Sequence, residues 1–375
     1  PSVIFWSIGN EEQYFGTGQG RKICKNLISF IKSLDDSRLI TIACDKVDRE
    51  KVLDLVDVIG INYCYDLIDA VHAKYPDKPL FMSECVASGT KRGWYEEADD
   101  KQAARPAWDN DTGMYFRNRE MTYTFISERP FIAGSFQWTA FEHRGEAVWP
   151  RLCSLSGSID MFLQKKDAFY QNKSFWTDEP MIHLLPHWNF TGLEGKPIHI
   201  VAYTNCKEAI LDVNGKKYPP VKIKKYGKAE WNIPFCPGYI EAYGITDGKI
   251  VCRKKIQTTE KPVALKLSLD TENIERNGKD VAVFSCRAVD KNGKFVPDAT
   301  PLVTFSATGC GQVLSTGSDN ADHESLYSST RRMYAGVISV AVKIIDNDLP
   351  LTLTAYDANG NLTPAFISLG IPVKK

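Results

Sequence analysis

No C-x-x-C pair occurs among the ten cysteines of this 375-residue chain, and its six histidines form no ligand constellation. Zinc-site spacing is therefore excluded. His183 and His187 stand four apart, but Pro186 lies between them, which argues against a helix presenting both. There is no Gly-x-Ser-x-Gly elbow and no phosphate-binding loop, so neither signature chemistry is on offer. Surplus charge is absent as well. Lys and Arg number 46 and so do Asp and Glu, which excludes a general nucleic-acid or polyanion binder, local patches aside. Membrane-length apolar runs, heptads, low-complexity tracts and a signal peptide are also missing. Cysteines are scattered and read as small buried apolar residues. Cys206, Cys236 and Cys252 share one β-rich stretch, where a disulfide is left open. What the chain has in quantity is aromatics, 8 Trp, 16 Tyr and 18 Phe, which suit β-rich cores and sugar-stacking faces alike.

The first half alternates strand and helix. Apolar runs at Val3 to Asn10, Leu39 to Asp45, Val56 to Tyr63, Leu80 to Glu84 and Phe131 to Phe141 read as strands. Between them, Gly18 to Leu34 reads as an amphipathic helix carrying Ile23, Leu27, Phe30, Ile31 and Leu34 on one face. Lys51 to Leu55, Leu67 to Lys74, Met114 to Ser127 and a stretch near Lys166 to Phe175 read as further helices, with a long loop from Cys85 to about Thr112. Five β/α units in a row indicate a parallel sheet. Eight would close a barrel, so five look like its second half. After Asp178-Glu179-Pro180 the pattern changes to short alternating strands separated by turns such as Asn214-Gly215, Asp247-Gly248 and Asn292-Gly293. The fold class expected is a partial (β/α)8 barrel over residues 1–180, followed by two immunoglobulin-like β-sandwiches over 181–260 and 261–375.

Two barrel strands end in carboxylates. Val3-Ile4-Phe5-Trp6-Ser7-Ile8-Gly9-Asn10-Glu11 and Leu80-Phe81-Met82-Ser83-Glu84 are apolar runs that stop at a polar pair. The carboxyl ends of barrel strands are where chemistry sits. Glu11 and Glu84, three strands apart in order, have the residue type and placement of a glycoside-cleaving pair, one group giving a proton and the other attacking the anomeric carbon. Glu12 competes with Glu11 but reads as a loop or helix-entry charge. Asp45 and Asp66 read as loop and capping residues. Asn62-Tyr63 ends the strand before Glu84, where a tyrosine hydroxyl can hold a carboxylate ionised. Trp138 offers a wall for a sugar's apolar face, His143 and Arg144 offer hydrogen bonds to its hydroxyls, and Trp6, at mid-strand, reads as core. The polar tip Ser318 to Glu324 lacks a calcium spacing and reads as a plain loop.

The run from Pro1 to Glu11 resembles the acid/base motif of glycoside hydrolase family 2, and Ser83-Glu84 resembles that family's nucleophile motif. Phe136 to Glu146 looks like its last barrel strand and loop. Met181 to Trp188, with Tyr203 to Cys206 and Val213 to Lys216, looks like the junction and first sandwich of β-galactosidase-like members from gut bacteria. The resemblance implies Glu11 as acid/base, Glu84 as nucleophile, Asn10 on the sugar 2-hydroxyl, Asn62 and Tyr63 in the substrate site, and Trp138 at the non-reducing sugar. It implies a retaining exo-β-galactosidase without cofactor, whose partner is an oligosaccharide or β-galactoside, with no nucleic acid and no membrane; no metal-ligating residue is assigned, and metal dependence and a homo-oligomer are left open. The family's Asn-x-Lys clamp for a sugar carboxylate is missing between Trp138 and Leu155, which favours a neutral sugar. A β-glucuronidase or β-mannosidase on the same scaffold, or a non-catalytic carbohydrate-binding or structural fragment, is the alternative. Relatives act in the periplasm or outside the cell. The family's jelly-roll domain, first immunoglobulin-like domain and first three barrel strands do not appear in the chain, so a C-terminal portion with little activity by itself is expected.

Overall fold

A computed structural model describes residues 2–110 and 117–371. Five strands form one parallel sheet in sequential order: β1 (Phe5–Asn10), β2 (Leu39–Cys44), β3 (Val58–Asn62), β4 (Leu80–Val86) and β5 (Ile132–Trp138). Helices α1 (Gly18–Leu34), α2 (Ile68–Lys74) and α3 (Arg119–Ser127) punctuate this region, and α4 (Asp167–Trp176) follows it. Beyond it come four antiparallel sheets among the described residues, with one sandwich core around Trp188, Trp231 and Phe235 and another around Phe284, Phe305 and Val340. The chain is thus a parallel five-strand α/β sheet, part of a barrel, followed by antiparallel β-sandwich sheets. Packing groups the residues into two units, one from 1–89 with 109–140 and one from 90–108 with 141–375.

In the first unit the middle strands are the most buried. Ile40, Ile42, Ile59, Ile61 and Met82 are core residues, with Val52, Leu53 and Val56 packed in from the β2–β3 connection. Residues 51–55 were expected to be helical. They form a turn instead, with Leu55 N–H donating to Val52 O at 2.9 Å. One helical turn fixes several dihedrals for a single hydrogen bond, so a five-residue segment is held by its buried side chains rather than by helix formation. The expected 114–127 helix is described from Arg119, capped by Asn118, whose side chain accepts from the Met121 N–H at 2.9 Å; positions 114–116 lie outside the described residues. The strand expected to run to Phe141 ends at Trp138, and Phe141 bridges Ile159 in the second unit.

Helix α1 starts where Thr17 caps it, its hydroxyl accepting from the Gly20 N–H at 3.0 Å. Of its apolar stripe only Ile31 packs against the core of this unit. Cys24, Ile28 and Ile31 pack inward, while Ile23 is 44%, Phe30 62% and Leu34 72% exposed. Val3 and Ile4, just before β1, and Trp6 on it are exposed too, so Trp6 is a surface residue, its indole N–H on Asp35, and not core. Among the described residues, β1 pairs with β2 alone, and β5 with β4 alone.

Arg119 and Asp109 form an ion pair at 2.6 Å with both side chains 0% exposed. Asp109→Asn keeps the left-handed backbone there (φ 50°). It leaves a buried guanidinium uncompensated, which is expected to cost about 3 kcal/mol or more. Urea denaturation checks this; an unchanged midpoint would contradict it.

In the second unit the aromatic loop 90–108 is anchored by Trp108, which packs with Leu185, Val201 and Tyr203. The tip at Ser318 to Glu324 is tied down by ion pairs, Asp319 to Lys91 at 3.1 Å and Asp322 to Arg331 at 2.8 Å. Strands at Ile182–Leu185, Lys249–Gln257, Gly311–Gly317 and Ala365–Leu369 add to those read from the sequence. Cys206 and Cys252 approach with their sulfurs 3.5 Å apart as free thiols, and Cys236 is unpaired.

Candidate active site

The polar residues at the strand ends of the first unit are joined through β3. This strand lies between β2 and β4 with all five residues buried, so its last residue, Asn62, reaches the rim 0% exposed. A buried amide needs partners for two donors and one acceptor. Asn62 Nδ2 donates to Asn10 Oδ1 at 2.9 Å and to Glu11 Oε1 at 2.8 Å, and its Oδ1 accepts from Ser83 Oγ at 2.6 Å. The next residue, Tyr63, donates its hydroxyl to Glu84 Oε2 at 3.1 Å and its N–H to the Glu84 carbonyl at 3.0 Å. Glu11 and Glu84, from the ends of β1 and β4, are therefore each held by one of two consecutive residues. The Glu11 N–H donates to Ala43 O at 2.9 Å, which fixes its backbone against β2.

The backbone turns sharply at these points. Glu11 has φ 53° and Tyr63 φ 56°, with Cys64, Val86 and Ala87 also left-handed. Conformations of this kind cost about 1–3 kcal/mol each and persist where the surroundings over-determine them. At Glu11 and Tyr63 the ties are the hydrogen bonds just given.

The competing acids stand apart from this network. Glu12 is exposed, Asp45 pairs with Lys46 at 3.1 Å, and Asp66 meets Arg117 at 3.3 Å. Trp138 ends β5, half-buried and in register with Val86, two residues beyond Glu84. His143 and Arg144 belong to the second unit. There His143 Nδ1 meets Ser154 Oγ at 3.1 Å, and Arg144 is exposed. His183 sits on a strand with Nε2 2.7 Å from Asp167, its partner being this carboxylate and not His187.

The Ser83 hydroxyl, next to Glu84, donates to Asn62. Glu50 carries no motif and was not anticipated. Its Oε2 is buried without a hydrogen-bond partner among the described residues. Burial first, and then Asp45, push its carboxyl up to about 7. Native Glu50 therefore holds its proton more tightly than the unfolded chain does. Its contribution to stability is most favourable below the ordinary glutamate range and is lost as pH rises toward 7. Glu50→Gln is accordingly expected to raise Tm at pH 8 and to leave it nearly unchanged at pH 4. Equal shifts at the two pH values would contradict this.

Residues 1–104 match the TIM barrel domain of glycosyl hydrolases family 2, residues 265–365 the family's C-terminal domain 5, and residues 195–252 a domain of unknown function, DUF4982. The beta-galactosidase BoGH2A of Bacteroides ovatus is 30% identical over 403 residues, covering 93% of this chain and 47% of that protein. A beta-glucuronidase of Formosa agariphila is 26% identical over 385 residues, covering 95% of this chain and 36% of that protein. Among solved structures, a beta-glycosidase from Bacteroides vulgatus superposes with a TM-score of 0.86 at 27% identity, covering 99% of this chain and 51% of that one. The chain spans about half or less of the length of these relatives.

Proposed function

The chain belongs to glycoside hydrolase family 2, and from that premise we propose that it carries the two reacting carboxylates of a retaining β-glycosidase. The observation behind this reading is the pair of hydrogen bonds that tie Glu11 to Asn62 and Glu84 to Tyr63. Glu84 attacks the anomeric carbon as the C–O bond to the leaving group breaks. Glu11 gives its proton to that leaving oxygen, and a covalent glycosyl-enzyme ester forms on Glu84. Glu11, then ionised, takes a proton from water, which attacks the same carbon and frees Glu84 with overall retention. Tyr63 steadies the ionised Glu84, since a hydroxyl donor favours the charged form. Asn10 meets the 2-hydroxyl of the sugar, and Trp138 contributes a further contact to it.

For the sugar we favour a β-galactoside. The relative of 30% identity is a beta-galactosidase, and no Asn-x-Lys pair stands between Trp138 and Leu155 to hold a uronate. The second reading is a β-glucuronide, because beta-glucuronidases of lower identity align over most of the chain. A panel of nitrophenyl β-galactoside, β-glucuronide and β-mannoside separates them: galactoside preference supports the first, glucuronide preference overturns it. If the chain is instead a non-catalytic sugar binder, Glu84→Gln leaves both sugar affinity and any turnover unchanged.

A further inference from the structure

A cleft of about 1040 Å³ opens within the second unit, and none of Asn10, Glu11, Asn62, Tyr63 or Glu84 lines it. Its size is at the upper end of the roughly 300–1,000 Å³ common for ligand sites, which suits several linked sugar rings better than one. One wall comes from Tyr170 of α4 and from His183, whose rings stack with centroids 3.9 Å apart and planes 5° from parallel. Tyr95 and Phe295 add aromatic surface. Both Tyr170 and His183 are half-buried, with part of the stacked pair still open to solvent.

The lining is also one-sided in charge. Six basic residues, Arg92, Lys165, Lys254, Lys255, Arg287 and Lys294, face two acids, Asp167 and Asp270. Both acids are engaged within the wall. Asp167 accepts from the Tyr95 hydroxyl at 3.0 Å and meets His183 Nε2 at 2.7 Å, while Asp270 accepts from Ser285. Arg92 is committed to Asp160 at 2.7 Å and Lys255 lies over the Tyr239 ring. Arg287 donates only to neutral groups, Ser268 Oγ at 3.0 Å and Gln164 Oε1 at 3.4 Å. Lys165, Lys254 and Lys294 have no ion pair among the described residues, although Lys165 lies over Phe169. In a chain of zero net charge, unpaired cations gathered around aromatic faces are a local feature that favours an anion carrying apolar ring faces.

We propose that this cleft is a second, non-catalytic binding site for an anionic oligosaccharide, one bearing carboxylate or sulfate groups. The choice of saccharide rests on the glycosidase reading; the choice of anion rests on the lining alone. Such a site would hold a charged glycan chain by a stretch other than the bond being cut.

Calorimetric titration of the 375-residue chain tests this with tetragalacturonate, a sulfated galactan tetrasaccharide and neutral galactotetraose as probes. At least one anionic probe is expected to bind about tenfold or more tighter than the neutral one, with affinity falling as salt rises. The double variant Lys254→Ala/Lys294→Ala, at two exposed positions, is expected to weaken that binding about tenfold or more, and Lys254→Arg/Lys294→Arg to retain it. Glu84→Gln is expected to bind the probe unchanged. Equal affinity for all three probes, no binding of either anionic probe, or full binding by the double alanine variant overturns the proposal. Loss of binding in Glu84→Gln overturns it as well, by moving the ligand to the catalytic pair. The readout needs no turnover, so failure of the glycosidase reading and failure of this site register separately.

Discussion

Glu84→Gln is expected to lower kcat toward nitrophenyl β-galactoside by about 10³-fold or more, about 4 kcal/mol of transition-state stabilisation. The measurement is made in a chain joined to the first three β/α units of a family 2 barrel. The amide keeps the size of the side chain and its oxygen can still accept from the Tyr63 hydroxyl now 3.1 Å from Glu84. It cannot form the ester intermediate, because a neutral amide is a poor nucleophile at the anomeric carbon. Azide gives a sharper form of the same test. In Glu84→Ala it attacks from the vacated face and yields a glycosyl azide of inverted configuration. In Glu11→Ala the ester still forms, so azide yields a product of retained configuration. A Glu84→Gln enzyme within tenfold of the parent, or the same azide product from both alanine variants, would remove Glu84 from the nucleophile's role.

The second large effect concerns the sheet itself. The chain without those added β/α units is expected to turn over the same substrate at least about 10²-fold more slowly than the joined form, since a misplacement of about 1 Å can cost that much. Among the described residues the five parallel strands leave β1 and β5 each with one partner, and a closed barrel of this type has eight strands. β1 carries Glu11 at its end, and its flank, Val3, Ile4 and Trp6, is exposed. An edge strand held on one side lacks the second ladder that would fix its tip. Equal rates for the two forms would show that the edge is rigid enough by itself.

Much of the fold was legible because its signals are local. The apolar runs of β2, β3 and β4 are bounded by polar residues, and α1 begins and ends where Gly18 and Leu34 were read. Failures fall where tertiary context decides. Residues 51–55 have helix-compatible composition, yet burial of Val52 and Leu53 sets their conformation. Lys249–Gln257 is a strand whose Arg253, Lys254 and Lys255 break the apolar alternation, as charged edges do. Position of the α1 stripe was readable from periodicity, but what it meets was not. At the site, residue types at strand ends pointed to Glu11, Asn62, Tyr63 and Glu84. The bond from Asn62 to Glu11 spans 51 positions, and no spacing rule reveals it. Glu50 had no signal of any kind, since its isolation comes from how the β2–β3 connection packs.

The buried amide of Asn62 has a consequence for where a proton travels. Both its Nδ2 hydrogens are directed at oxygens, one at Asn10 and one at Glu11 Oε1, and the Ser83 hydroxyl occupies its own oxygen. An amide does not titrate, so Oε1 of Glu11 always faces a donor and is the worse seat for an added hydrogen. In the proposed cycle the shuttled hydrogen must therefore ride on Oε2, giving the two oxygens of one carboxyl separate duties: anchor and carrier.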